Sequence, residues 1–237
     1  MPKINVYLPD DLADAVRETG VPVSAICQRA LEQAVRRMTA VRQGVLSTLD
    51  PAELAARLPN FTARAITVLS LGIDRAKTAG ATSVTTGDLL HGLLAEGANL
   101  GLQILTALEV PPSSLTAPSD PEPALPSDGG PAELRLSAPA AVAFELAVGE
   151  ALGLGHNYVG CEHLLIGLAA EPDGAAGRLL RTHGVDGKAT RRAVAAALAG
   201  YAHLRANTAA TAGLLTTVRA ELAPLIERIE RLETRLN

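Results

Sequence analysis

Three features of the 237-residue sequence predict a mainly α-helical fold. The chain is 48% apolar, with Ala, Leu and Val dominant, yet it has no Trp, two Phe and three Tyr. Its cores therefore come from aliphatic helix packing and not from aromatic-rich sheets. Apolar residues recur at helical spacing in two stretches that repeat one another in order and internal spacing. Proline, glycine and capping residues punctuate those stretches where helices start and stop. A chain of this length accommodates two domains with connecting segments.

The formal net charge of −4 is too small to mark the whole chain as a nucleic-acid or membrane binder, although a local patch can do either. Cys27 and Cys161 lie far apart, without the dense spacing of a secreted disulfide scaffold, which favours a reducing cytoplasm. The N-terminus has no apolar signal core, and no stretch reaches the ~18 apolar residues that cross a bilayer. A soluble, non-exported protein without membrane contact is expected.

Residues 3–9, Lys-Ile-Asn-Val-Tyr-Leu-Pro, alternate with period two. Ile4, Val6 and Leu8 share one face of a strand, and Lys3, Asn5 and Tyr7 share the other. Pro9-Asp10-Asp11 then starts a helix to about Thr19, Gly20 ends it, and Val23-Ser24 opens a second helix to about Arg37. A lone strand needs a partner for its backbone edges, and the same strand of a second copy is the simplest one, so a homodimer is expected. This order, with Val23-Ser24-Ala25-Ile26 and Arg29-Ala30-Leu31 in the second helix, resembles the ribbon-helix-helix family over residues 2–38. The resemblance implies that Lys3, Asn5 and Tyr7 of two paired strands enter a DNA major groove while Ser24 offers backbone N–H groups to a phosphate. Residues 1–44 carry six basic and five acidic side chains, so a ribbon that only dimerises the chain stands beside the DNA reading.

Within 45–60, Asp50-Pro51-Ala52-Glu53 combines an N-cap, a proline at the first helical position and a capping-box glutamate, and predicts a short connecting helix. From Phe61 the repeats begin. One copy, 61–116, runs through Thr86-Gly87-Asp88-Leu89-Leu90-His91-Gly92-Leu93, and a second, 133–199, through Gly155-His156-Asn157-Tyr158-Val159-Gly160-Cys161-Glu162-His163-Leu164-Leu165. Two tandem units about a pseudo-two-fold axis are expected. Between them, residues 111–131 hold seven prolines with Ser, Asp and Gly, a composition expected not to pack but to form an extended, mobile linker. The two copies resemble the repeats of the Clp N-terminal domain, found at the front of Clp/Hsp100-type unfoldases, the second more closely than the first. Over 61–199 the resemblance implies an all-α double Clp repeat of two four-helix units.

After Gly200, residues 200–237 place Leu215, Val218, Leu222, Leu225, Ile229, Leu232 and Leu236 three and four apart, a coiled-coil seam that would reinforce a dimer. Pro224 should kink or restart that helix.

Catalysis finds no candidates. The related unfoldases need a phosphate-cradling glycine loop, and the nearest approach, Gly187-Lys188-Ala189-Thr190, lacks the upstream glycine and has alanine at the hydroxyl position. No nucleophile elbow appears, and no His is spaced to activate Cys161. His156, Cys161, Glu162 and His163 crowd one segment in a way that suits a metal, but the resemblance explains the histidines as structural, so neither metal nor cofactor is expected. The resemblance also implies that the glutamate of a Glu-His pair helps bind phosphorylated arginine on substrates. Only Glu162 carries over, since Gly87 replaces the first, and a plain helix-capping role for Glu162 is the alternative. Three non-catalytic readings follow. One is a dimeric DNA-binding regulator or accessory factor of Clp proteolysis that recognises proteins or peptides. The others are a stand-alone decoy for peptides or Clp-directed cyclic-peptide antibiotics, and an adaptor that docks on a Clp unfoldase or protease.

Overall fold

The computed structural model describes residues 6–46, 49–123, 125 and 134–200. Helices α1 (Asp10–Thr19) and α2 (Val23–Leu46) come first. Asp10 and Asp11 sit in the first turn of α1 and Arg17 in the last, each complementing the helix dipole, and Gly20 closes it at φ 63° with its N–H on the Val16 carbonyl. These boundaries match the sequence expectation. However, α2 runs to Leu46 instead of stopping near Arg37, because no proline or glycine follows Arg37 until Gly44, which the helix accommodates near its end. Val6, Tyr7 and Leu8, the described part of the expected strand, are exposed and form no strand in the single chain, which offers them no edge to pair with. Lys3, Ile4 and Asn5 lie outside the described residues, as does the whole tail with Leu215, Val218, Leu222, Leu225, Ile229, Leu232 and Leu236.

The expected capping box at Asp50 is not formed. Asp50 Oδ1 accepts from Ala52 N at 3.0 Å in a turn, and the helix that follows, α3 (Leu54–Arg57), is a single turn with no side-chain cap. Burial of Leu49, Leu54 and Leu58 decides the path of this segment instead.

The repeat region comprises α4 (Ala63–Thr78), β1 (Ser83–Val84), α5 (Thr86–Glu96) and α6 (Leu100–Ala107), then β2 (Arg135–Leu136), α7 (Ala138–Gly153), α8 (Cys161–Ala170), α9 (Ala175–Thr182) and a last helix, α10, over 187–200. A shift of 75 residues superposes the two units. Thr62 and Ser137 cap α4 and α7 by accepting from Ala65 N and Ala140 N. Val84 pairs in parallel with Leu136, and Phe61 in the same way with Val159. Each unit therefore opens on a strand that belongs to the other. The helices interlock as well: α4 packs on α5 and α7 on α8, while α6 lies against α8 and α9 against α5.

Close approach of the first two helices in each unit requires glycine at one shared position, with Gly72 adding a second in the first unit. A Cβ at Gly92 would stand 2.1 Å from the Val68 carbonyl oxygen, and one at Gly167 would stand 2.1 Å from that of Ala143. The common core around them is aliphatic, with Leu90, Leu93, Leu165 and Leu168 buried and Phe61 stacked on Phe144 at 4.9 Å between ring centres. Each such leucine contributes about 1.5–3 kcal/mol on burial.

Two expectations need correction. The first unit has no counterpart of α10: Pro111 and Pro112 allow only a 3-10 turn, Pro112–Ser114. The proline-rich connection is also not free of packing, since Leu115 is buried and the chain to Pro123 is fastened to the helices by side-chain and backbone bonds.

Candidate functional site

The two units differ most at the start of their second helices. In α8, His163 Nδ1 accepts from Gly160 N at 2.9 Å. A backbone N–H can only donate, so the His163 proton resides on Nε2, which faces Nδ1 of His156 at 2.8 Å. Tyr158 stacks on the His156 ring at 5.3 Å. Burial, and then the neighbouring His156, holds His163 down to about 4, so its imidazole is neutral near pH 7. Both ring nitrogens of this histidine are thus committed within the protein.

Beside it, Glu162 is only 5% exposed. Its carboxylate doubles back over the N-cap: a Cβ at Gly160 would lie 2.4 Å from either oxygen, so a larger residue there would displace the carboxylate from this position. The partners of the carboxylate are the Tyr158 hydroxyl and its own backbone N–H, and burial outweighs both to raise its pKa. Burial and the charge of Glu162 raise Tyr158 in turn. His163 Nδ1 is 3.3 Å from the carboxylate but already accepts from Gly160, so the contact is not an ion pair. Among the described residues no Lys or Arg pairs with Glu162. Cys161 points into the core, and burial, then Glu162 and Glu96, push its thiol up to about 12, which leaves it inert as a nucleophile. Among the described residues no three His, Cys, Asp or Glu side chains are placed to hold a metal.

In α5 the equivalent positions carry Gly87 and Asp88. Asp88 Oδ2 accepts from Thr85 N at 2.9 Å and from Thr85 Oγ1 at 2.7 Å, while Thr85 Oγ1 accepts from Asp88 N at 3.2 Å. That reciprocal cap does for α5 what His163 does for α8. The place of the glutamate is taken by the connecting segment: a Cβ at Gly87 would be 2.2 Å from the Pro118 oxygen. Arg75 on α4 holds this segment, donating to the Gly87 carbonyl at 2.9 Å, the Pro118 carbonyl at 3.1 Å and Ser119 Oγ at 2.7 Å. Arg75 and the segment's own Glu122 carried no signal in the sequence, because both act across 12 to 53 positions of chain, well beyond a helical turn.

Of the other expected site residues, Tyr7 is exposed, and Ser24 is exposed in the first turn of α2. The structure does not bring either near Glu162.

These features define a class: a mainly helical domain of two interlocked repeats, with a capped second-helix start and a buried acid at that start in each. The profile of the Clp repeat (R) N-terminal domain matches residues 60–183 and 135–223. The chain belongs to this family. An ATP-dependent Clp protease ATP-binding subunit ClpA homolog of Porphyra purpurea is 35% identical over 136 residues, covering 56% of this chain and 16% of that protein. A homolog of the same name from Guillardia theta is 32% identical over 160 residues, covering 67% and 19%. The chain thus spans less than a fifth of the length of either relative. Among solved structures, the N-terminal domain of the caseinolytic protease associated chaperone ClpD from Arabidopsis thaliana is similar with a TM-score of 0.41 at 25% identity, covering 60% of this chain and 96% of that one.

Proposed function

We propose that the chain is a non-catalytic recognition protein that binds proteins or peptides through its second repeat, with Glu162 receiving a guanidinium-type cation. The observation that carries this reading is a carboxylate held at a helix start, buried and without a cationic partner. An isolated buried charge is costly, and an incoming guanidinium would offset that cost with a bidentate, charge-assisted bond. The family resemblance makes phosphorylated arginine the first ligand to try. Calorimetric titration of free phosphoarginine, arginine and phosphate against the full chain tests it. The parent chain should bind phosphoarginine, and Glu162→Gln should weaken binding about tenfold or more. Equal binding by both chains, or none by the parent, refutes the assignment.

A second reading concerns the N-terminal segment and rests on its apolar face. Ile26 is 53% exposed and Val35 63% exposed, with Leu12 and Leu31 similarly open: α1 buries no residue, and although α2 packs against α7 and β2, these apolar side chains stay uncovered among the described residues. In this reading a second copy covers them, the strands with Ile4, Val6 and Leu8 pair, and Lys3, Asn5, Tyr7 and Ser24 meet DNA. The protein then becomes a dimeric regulator or accessory factor whose Clp domain senses its ligand. Light scattering should give a dimer at micromolar concentration. Fluorescence anisotropy should show sequence-preferring DNA binding that is lost in Lys3→Ala/Asn5→Ala. A monomer refutes the reading, and a dimer indifferent to DNA sequence leaves the segment as a clamp only.

A further inference from the structure

The connecting segment between the repeats ends in a side chain with unusual surroundings. Glu122 reaches the point where the first turns of α5, α7 and α9 meet. Its Oε2 accepts from Thr86 N at 2.9 Å and from Ser137 Oγ at 2.6 Å, and its Oε1 accepts from Ala175 N at 3.0 Å and from the Thr86 hydroxyl. Thr86 and Ser137 are fully buried. Each hydroxyl oxygen also accepts one backbone bond, Thr86 from Ala176 N at 3.1 Å and Ser137 from Ala140 N at 3.1 Å, and each donates its proton to the Glu122 carboxylate. Four donors from three helix starts therefore converge on the two oxygens of one carboxylate, and the dipoles of those starts favour a negative charge there.

The occupant is held by a strap and not by the core. Residues 115–123 lie across the first unit in an extended path, with Asp120, Pro121 and Pro123 exposed. Besides Glu122, the strap is fastened by Arg75, by the buried Leu115 and by the Pro123 carbonyl, which accepts from Ala138 N at 2.7 Å. The same strap fills the space over Gly87, at the position where the second unit carries Glu162.

We propose that the strap is an internal, displaceable ligand: Glu122 closes an anion-accepting site at the junction of the two repeats, and an extended peptide with a proline-flanked glutamate, supplied by a partner, exchanges with it. This extends the peptide-recognition reading to a second face and does not depend on Glu162. Because the strap is tethered, its effective concentration is in the millimolar range, and free peptide competes poorly until the strap is weakened.

The test uses the full chain and a fluorescent peptide with the sequence of residues 115–125. Two variants weaken the strap: Glu122→Gln, whose amide presents N–H groups to the donors, and a chain with 117–122 exchanged for Gly and Ser of equal number. Anisotropy should show the peptide binding the strap-exchanged chain at least about tenfold more tightly than the parent, with about tenfold or more of that affinity lost when the peptide glutamate is made glutamine. Hydrogen exchange at the Thr86 and Ala175 amides should speed up at least tenfold in Glu122→Gln and slow again when the parent peptide is added to the strap-exchanged chain. Unchanged protection of both amides in Glu122→Gln overturns the proposal, as does a folded strap-exchanged chain that ignores the peptide. Protection by inorganic phosphate without peptide binding also overturns it, since the site would then accept a free oxyanion. Phosphoarginine binding through Glu162 is read separately and survives each of these failures.

Discussion

Acidification tests the neutral state of His163 most directly. The side chain is fully buried, and burial together with His156 holds it down to about 4, against 6.5 for the free residue. Between those values the unfolded chain binds a proton that the folded chain refuses, so stability is complete above about pH 6.5 and is lost as the pH falls toward 4. At about 1.4 kcal/mol per pH unit, moving from pH 7 to pH 5 removes about 2 kcal/mol. Glu162 acts in the opposite sense. Its pKa is raised by burial, so the folded chain takes up that proton more readily than the unfolded chain and gains stability as the pH approaches the carboxylate range. Urea unfolding followed by circular dichroism at pH 7, 6 and 5 and fixed ionic strength separates the two. The parent should lose less than about 2 kcal/mol and Glu162→Gln the full amount. Glu162→Gln/His163→Asn, which keeps an acceptor for Gly160 N, should lose about 2 kcal/mol less than Glu162→Gln. An equal loss with and without His163 would show that the acid sensitivity lies elsewhere and that this imidazole is not held neutral.

Further outcomes follow from the packing. Gly92→Ala and Gly167→Ala each drive a methyl into a backbone carbonyl and should cost about 1–3 kcal/mol or more by urea midpoint. Gly149→Ala, also within a helix but with open space around the new Cβ, should stabilise by up to about 1 kcal/mol. Under native conditions at pH 8, iodoacetamide should label half-buried Cys27 and leave Cys161 unmodified until the chain unfolds, as mass spectrometry of the peptides will report.

What the sequence made legible was local. Thr62, Ser137 and Gly20 mark helix ends because capping acts within a turn, and the second-repeat motif located Glu162 and His163 because both serve the helix start on which they sit. The length of α2 was less readable, since no glycine or proline near Arg37 announces an end and the helix continues. Asp50-Pro51-Ala52-Glu53 had the letters of a cap without the helix to follow, because three buried leucines set that path. Hardest to read was the strap. Proline-rich composition says only that a segment cannot make its own ladder, not that a carboxylate within it will find four donors at helix starts 15 to 53 residues away. Nor did the spacing show that Gly87, a mere departure from the Glu-His pattern, is the space through which that segment passes.

The exchange of strands and third helices between the repeats gives the connecting segment a further significance. Because Phe61 pairs with Val159, Val84 with Leu136, α6 covers α8 and α9 covers α5, neither half owns a complete apolar interior. A polypeptide severed between the halves would yield two fragments, each presenting the surface its missing counterpart should shield. Mixed in equal amounts, they are built to find one another and regenerate the intact body by complementation. By the same logic, a half from one molecule and a half from another can assemble using only contacts that a single chain already makes, so the connector decides by its reach whether that partnership stays within one molecule.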